Sequence, residues 1–92
     1  MSRYTKRIHE DTLISYGYDR GGRPSYFFSV EKMGKTEHGE QIAEIVEAGD
    51  TRQEMIISEN EKQMNRSEIA EKLREYGVRE EHVEAVAMDQ QF

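Results

Sequence analysis

Two runs of alternating apolar and polar residues, Leu13 to Asp19 and Ser25 to Met33, flank one short loop rich in glycine, arginine and proline. That arrangement is the signature of a β-hairpin, and it restricts the chain more than any other feature. The spacing predicts strands over Thr12 to Asp19 and Ser25 to Lys32, joined by a loop from Arg20 to Pro24. Setting Ile14 against Val30 brings Tyr16 opposite Phe28 and Tyr18 opposite Tyr26, so one face carries an aromatic and β-branched ladder. The same register sets Gly17 against Phe27, whose ring can cover the bare glycine backbone. Gly21 and Gly22 accept positive φ in the loop, and Pro24 stands where a missing N–H is tolerated.

A lone hairpin is marginal in water, so further elements are needed. Gly34 to Gly39 reads as a second turn. Glu40 to Ala48 would group Ile42, Ile45 and Val46 as a helix ending at Gly49, or complete a meander as a strand. The strand is preferred, and its imperfect alternation suits either two apolar faces or a bulge. Asp50 to Ser58 stays open: Thr51 and Glu54 have the spacing of a capping box, whereas Met55, Ile56 and Ile57 suit a short strand. Glu59 to Met64 reads as a loop. A helix follows, with Asn65 and Glu68 as capping pair, Ile69, Ala70, Leu73 and Tyr76 on one face, and Gly77 as its stop. A second helix is predicted over Glu80 to Met88, with Val83, Val86 and Ala87 inward, acidic residues at its positive end and Val78 packing back. Met1 to Asp11 lacks a sustained apolar period and reads as a flexible arm, with Tyr4 and Ile8 spaced for one helical turn. The expected fold is α+β: an antiparallel β-hairpin or three-stranded meander followed by two C-terminal helices packed on the sheet, one domain over residues 12–92.

The core must be thin. Apolar and charged residues each make up 35% of 92 residues, and no cysteine is available to staple the fold. Self-association or a protein partner would supply burial that so small a domain lacks. No stretch has the apolar length of a membrane span, and the basic start lacks the apolar core of a secretory signal, so a cytoplasmic location without membrane attachment is expected. The net charge of −6 conceals an asymmetry. Residues 1–35 hold seven Lys and Arg against four Asp and Glu; residues 36–92 hold six against fifteen. Such a bipolar chain can associate head to tail, dock its acidic half on a basic partner, or place arginines near phosphate.

Arg20, Gly21, Gly22 and Arg23 between Tyr18 and Tyr26 combine guanidinium and aromatic groups at the hairpin tip, the chemistry that binds single-stranded nucleic acid. Arg3, Lys6, Arg7, Arg20 and Arg23 are therefore candidate phosphate contacts and Tyr18 and Tyr26 candidate base contacts. Turn geometry explains the glycines equally well, and a domain without tryptophan needs its tyrosines to fill volume. Glu68, Glu71 and Glu75, continued by Glu80, Glu81 and Glu84, form a candidate acidic protein-contact face. Lys72, Arg74 and Arg79 interrupt it and suggest helical pairs of Glu68 with Lys72 and Glu75 with Arg79. His9, His38 and His82 each neighbour carboxylates without zinc-site spacing and read as surface histidines. No nucleophile elbow, phosphate-cradling loop, cofactor motif or small-molecule site is evident.

The pairing of YGYD at residues 16–19 with SYFFSV at residues 25–30 resembles a pattern in small uncharacterised bacterial proteins, some borne by plasmids and other mobile elements. The resemblance covers about a quarter of the chain. It implies a hairpin-containing accessory protein and transfers no site residues. The expected function is a non-enzymatic protein-interaction module that uses the sheet edge or the helical pair. The alternative is nucleic-acid binding through the basic N-terminal half.

Overall fold

The computed structural model describes residues 2–20, 24–52 and 59–92. Its strands are β1 (Ser2–His9), β2 (Thr12–Asp19), β3 (Ser25–Lys35), β4 (Gln41–Asp50) and β5 (Glu61–Gln63), followed by the helices α1 (Arg66–Glu75) and α2 (Glu80–Ala87). The strands stand in sequence order in one sheet, antiparallel except for the parallel β4–β5 pair. The fold is therefore α+β with two C-terminal helices, as expected, but on a five-stranded sheet.

The β2–β3 register is the one dictated by the sequence: Ile14 pairs with Val30, Tyr16 with Phe28, Gly17 with Phe27 and Tyr18 with Tyr26. Period-two alternation turns Ile14, Tyr16, Tyr18, Tyr26, Phe28 and Val30 to the same face, where all are buried. Both helices cover that face. Ile69, Leu73, Val83 and Val86 join the same cluster and are at most 1% exposed. Each such side chain contributes about 1.5–3 kcal/mol of burial. In β4 the strand reading holds, bulge included. Val30 faces Glu47 while Glu31 faces Ile45, which leaves Val46 as the extra residue.

The α1 cap is reciprocal. The Glu68 amide donates to the Asn65 side chain at 2.9 Å, and the Asn65 amide to the Glu68 carboxylate at 3.4 Å. At the other end Gly77 takes φ +72, so its amide reaches Arg74 O and the Val78 amide reaches Leu73 O, a Schellman stop. The stop of α2 has the same form, but the left-handed position is held by Asp89 at φ 57.

Three expectations change. Residues 2–9 are not an arm: every residue from Ser2 to Arg7 pairs across to β2 in unbroken register, from Tyr18 to Leu13. Tyr4 and Ile8 share a face because a spacing of four preserves the face of a strand as well as that of a helix. The expected loop after Glu59 contains β5, whose three polar residues align with Ala48, Gly49 and Asp50 of β4. The hairpin of β3 and β4 is also longer than predicted, with β3 running on to Lys35. The strand-or-helix alternative for Asp50 to Ser58 falls largely on residues 53–58, outside the described residues. Of its described part, Asp50 ends β4 and the Thr51 amide donates to Tyr26 O.

Candidate interaction surface

β1 is an outer strand of the sheet, and its residues from Arg3 to Arg7 are all exposed. From Ser2 to Arg7 alternate residues aim their backbone donors and acceptors away from β2, and a bulge at Ile8, between Arg7 and His9, ends the regular row. Alternation places Arg3, Thr5 and Arg7 on the face opposite the helices and Tyr4, Lys6 and Ile8 on the helical side. The Arg3 guanidinium lies 6.0 Å from the Phe27 ring centroid, across the bare backbone of Gly17. The Lys6 ammonium donates to Gly77 O, so this cation meets the carbonyl end of α1. Among the described residues, Arg3, Lys6, Arg7 and Arg20 have no carboxylate within ion-pair distance.

The helical cations behave oppositely. Lys72 pairs with Glu47 at 2.6 Å and with Glu75 at 3.6 Å, and Arg74 bridges Glu71 at 3.0 Å and Glu80 at 3.1 Å. Arg79 pairs with Glu81, and Arg66 reaches Asp89 at 3.6 Å. Glu68 is occupied by its own helix cap, and Glu84 is exposed. The predicted pairs of Glu68 with Lys72 and Glu75 with Arg79 are thus replaced by others. The acidic stripe is interleaved with bound cations, which reduces its reach as a continuous negative surface.

Glu47 also accepts a hydrogen bond from the Tyr76 hydroxyl at 2.7 Å, tying α1 to β4. Burial alone would raise this carboxyl, but hydrogen bonds from Lys72 and Tyr76 outweigh it and hold it below its ordinary range. Burial and the same carboxylate push Tyr76 up to about 12.

The candidate base contacts are core residues. Tyr18 is 8% exposed and Tyr26 4%, with the Tyr26 hydroxyl donating to Asp89 at 3.2 Å and to Gln90 O at 3.0 Å. Their rings pack on each other at 4.9 Å and fill volume, so Tyr26 in particular has no free face for a base. Tyr18 and Arg20 border an open groove of about 470 Å³ with Ser2, Gln91 and Phe92. Arg20 is exposed; Arg23 lies outside the described residues. Arg3 and Arg7 therefore share one face of β1, and Arg20 follows the end of β2 that pairs with Ser2 and Arg3.

His82 corrects the surface-histidine reading. It is 6% exposed, its Nδ1 lies 2.6 Å from the Tyr16 hydroxyl, and its ring packs against Tyr4 at 4.3 Å and Phe92 at 5.1 Å. Burial, with Arg79 assisting against Glu81, lowers its pKa, so the imidazole is neutral at pH 7. The sequence signal was its position four residues before Val86, on the inner face of α2. The contacts of His82 with Tyr16 and Tyr4 tie α2 to β1 and β2.

Among the described residues, no group of three or more His, Cys, Asp or Glu side chains is placed to hold a metal ion, and no helix is long and apolar enough to cross a membrane. Comparison with protein-family models, with curated proteins and with solved structures finds no match.

Proposed function

We propose that this chain is a small, non-enzymatic protein-interaction module of accessory or regulatory type whose contact surface is the edge of its sheet. One observation carries the reading: among the described residues, the outer strand β1 exposes an edge in unbroken register from Ser2 to Arg7 whose arginines have no carboxylate partner, whereas the cations Arg66, Lys72, Arg74 and Arg79 are paired. Unpaired charge on an unpaired edge is a surface with unspent binding capacity. Strand β4 adds exposed apolar area, since Ile42 is 40% and Val46 50% exposed. The helical pair is the weaker candidate because its carboxylates are largely engaged.

Absence of cysteine makes the test clean. A single Glu84→Cys variant, biotinylated on exposed α2, leaves β1 free for capture from source lysate with and without nuclease, and sedimentation reports the mass of the untagged chain. A nuclease-resistant protein partner, or a mass above 10.8 kDa, is the expected result. A strict monomer that recovers only nuclease-sensitive material replaces the reading with nucleic-acid binding, to which the unpaired Arg3, Arg7 and Arg20 would also contribute.

A further inference from the structure

We propose that the outer edge of β1 receives an acidic, extended segment of a partner protein as an added strand. The inference rests on the interaction-module reading and specifies its partner. Strand addition draws affinity from main-chain hydrogen bonds and specificity from alternating side chains. Both are set by β1. Arg3 and Arg7 lie on one face, four residues and therefore roughly 13 Å apart, with Thr5 between them. Tyr4 and Ile8 lie on the other face with Lys6, and Tyr4 is 37% exposed. A strand added antiparallel thus needs acidic residues opposite Arg3 and Arg7, a small residue opposite Thr5, and apolar residues opposite Tyr4 and Ile8.

The cations also select against other occupants. A basic strand meets the like charges by which natural proteins protect an edge, and a neutral one leaves them uncompensated. A second copy offering its own β1 would set arginines against arginines. An acidic segment avoids both penalties.

The probe is the peptide Ile-Glu-Glu-Thr-Val-Glu, flanked by Gly-Ser spacers and titrated into the full ¹⁵N-labelled chain. The expected result is a set of amide shifts concentrated on Ser2–His9, with affinity at least tenfold above that of a scrambled peptide. Backbone N-methylation along one edge of the peptide should abolish binding. The paired change Arg3→Glu and Arg7→Glu should transfer preference to the lysine counterpart while the remaining amide positions stay unchanged, which reports that the fold survives. Equal binding of the scrambled or N-methylated peptide, shifts centred outside β1, or stronger binding of an oligothymidine overturns the proposal. Failure here with a captured nuclease-resistant partner would leave the interaction module standing and move its surface; failure of both would remove the module itself.

Discussion

Removing one oxygen atom from the core should cost this protein a large part of its margin. In Tyr16→Phe the ring keeps its packing against Tyr4 and His82, with centroids at 5.7 and 5.5 Å, but His82 Nδ1 loses the hydroxyl 2.6 Å away. The ring is only 6% exposed, so the nitrogen that loses this partner is largely shielded from solvent. An orphaned buried polar group costs about 1–3 kcal/mol. In a domain of this size about 2 kcal/mol corresponds to roughly 8–16 °C in Tm. Urea unfolding at pH 7.5 of the wild type, Tyr16→Phe, His82→Leu and the double variant closes a thermodynamic cycle. Each single change orphans the partner and the double change orphans neither, so the double variant should be less destabilised than the sum by about 1–2 kcal/mol. The same pair fixes an acid response. The pKa of His82 is lowered in the folded protein, so the unfolded chain takes up this proton first, near pH 6.5. The stability contributed by the neutral ring is therefore present above about pH 6.5 and is lost as the pH falls through the lower folded value. His82→Leu should flatten that part of the profile. Additivity within about 0.5 kcal/mol, or an acid profile unchanged by His82→Leu, would refute the assignment of a coupled, neutral pair.

Three other perturbations test the supporting contacts. Glu47→Gln removes the charge shared by Lys72 and Tyr76 and should cost about 1–2 kcal/mol at pH 7 by chemical denaturation; because the folded carboxyl is lowered, the wild-type advantage should persist above about pH 4.3 and fade as the pH drops below it. Gly17→Ala would place a Cβ 1.9 Å from the Ser2 carbonyl oxygen, so β1 amides should lose hydrogen-exchange protection before those of β2 and β3, and unchanged protection of Thr5 and Lys6 would contradict the close approach. Asp89→Asn should stay within about 0.5 kcal/mol of wild type in thermal melts, since asparagine tolerates the left-handed position and still accepts from Tyr26, whereas Asp89→Ala loses both properties and should cost about 1–2 kcal/mol.

What the sequence made legible was whatever neighbours in sequence decide. The hairpin register follows from alternation on both sides of one loop and the α1 boundaries from Asn65, Glu68 and Gly77, whereas Ile45 beside Val46 fitted a strand apolar on both faces as well as the bulge that β4 has. The missed elements are those whose pattern is degenerate or absent. Tyr4 and Ile8 satisfy helix and strand alike, and the charged residues between them hid the alternation of β1. Glu61, Lys62 and Gln63 carry no strand pattern; they form β5 because the main chain of Ala48 to Asp50 offers them a ladder, an influence that reaches back thirteen residues.

Charge is the sharper case, because the candidate surface depends on it. Composition gave a positive N-terminal third and a negative remainder, but local spacing assigned Lys72 to Glu68 when its partner is Glu47, which only the packing of α1 beside β4 brings near. Neutralisation is thus a property of the tertiary fold. In the sequence, Arg3 and Arg7 look no different from Arg74 and Arg79, each a cation within a few residues of a carboxylate or another cation. The helices wind Arg74 and Arg79 back onto Glu71, Glu80 and Glu81, while an extended strand carries Arg3 and Arg7 outward along an edge. A strand at 3.3 Å per residue separates such charges faster than a helix at 1.5 Å, so the same residue types become solvated pairs on one element and free binding capacity on the other.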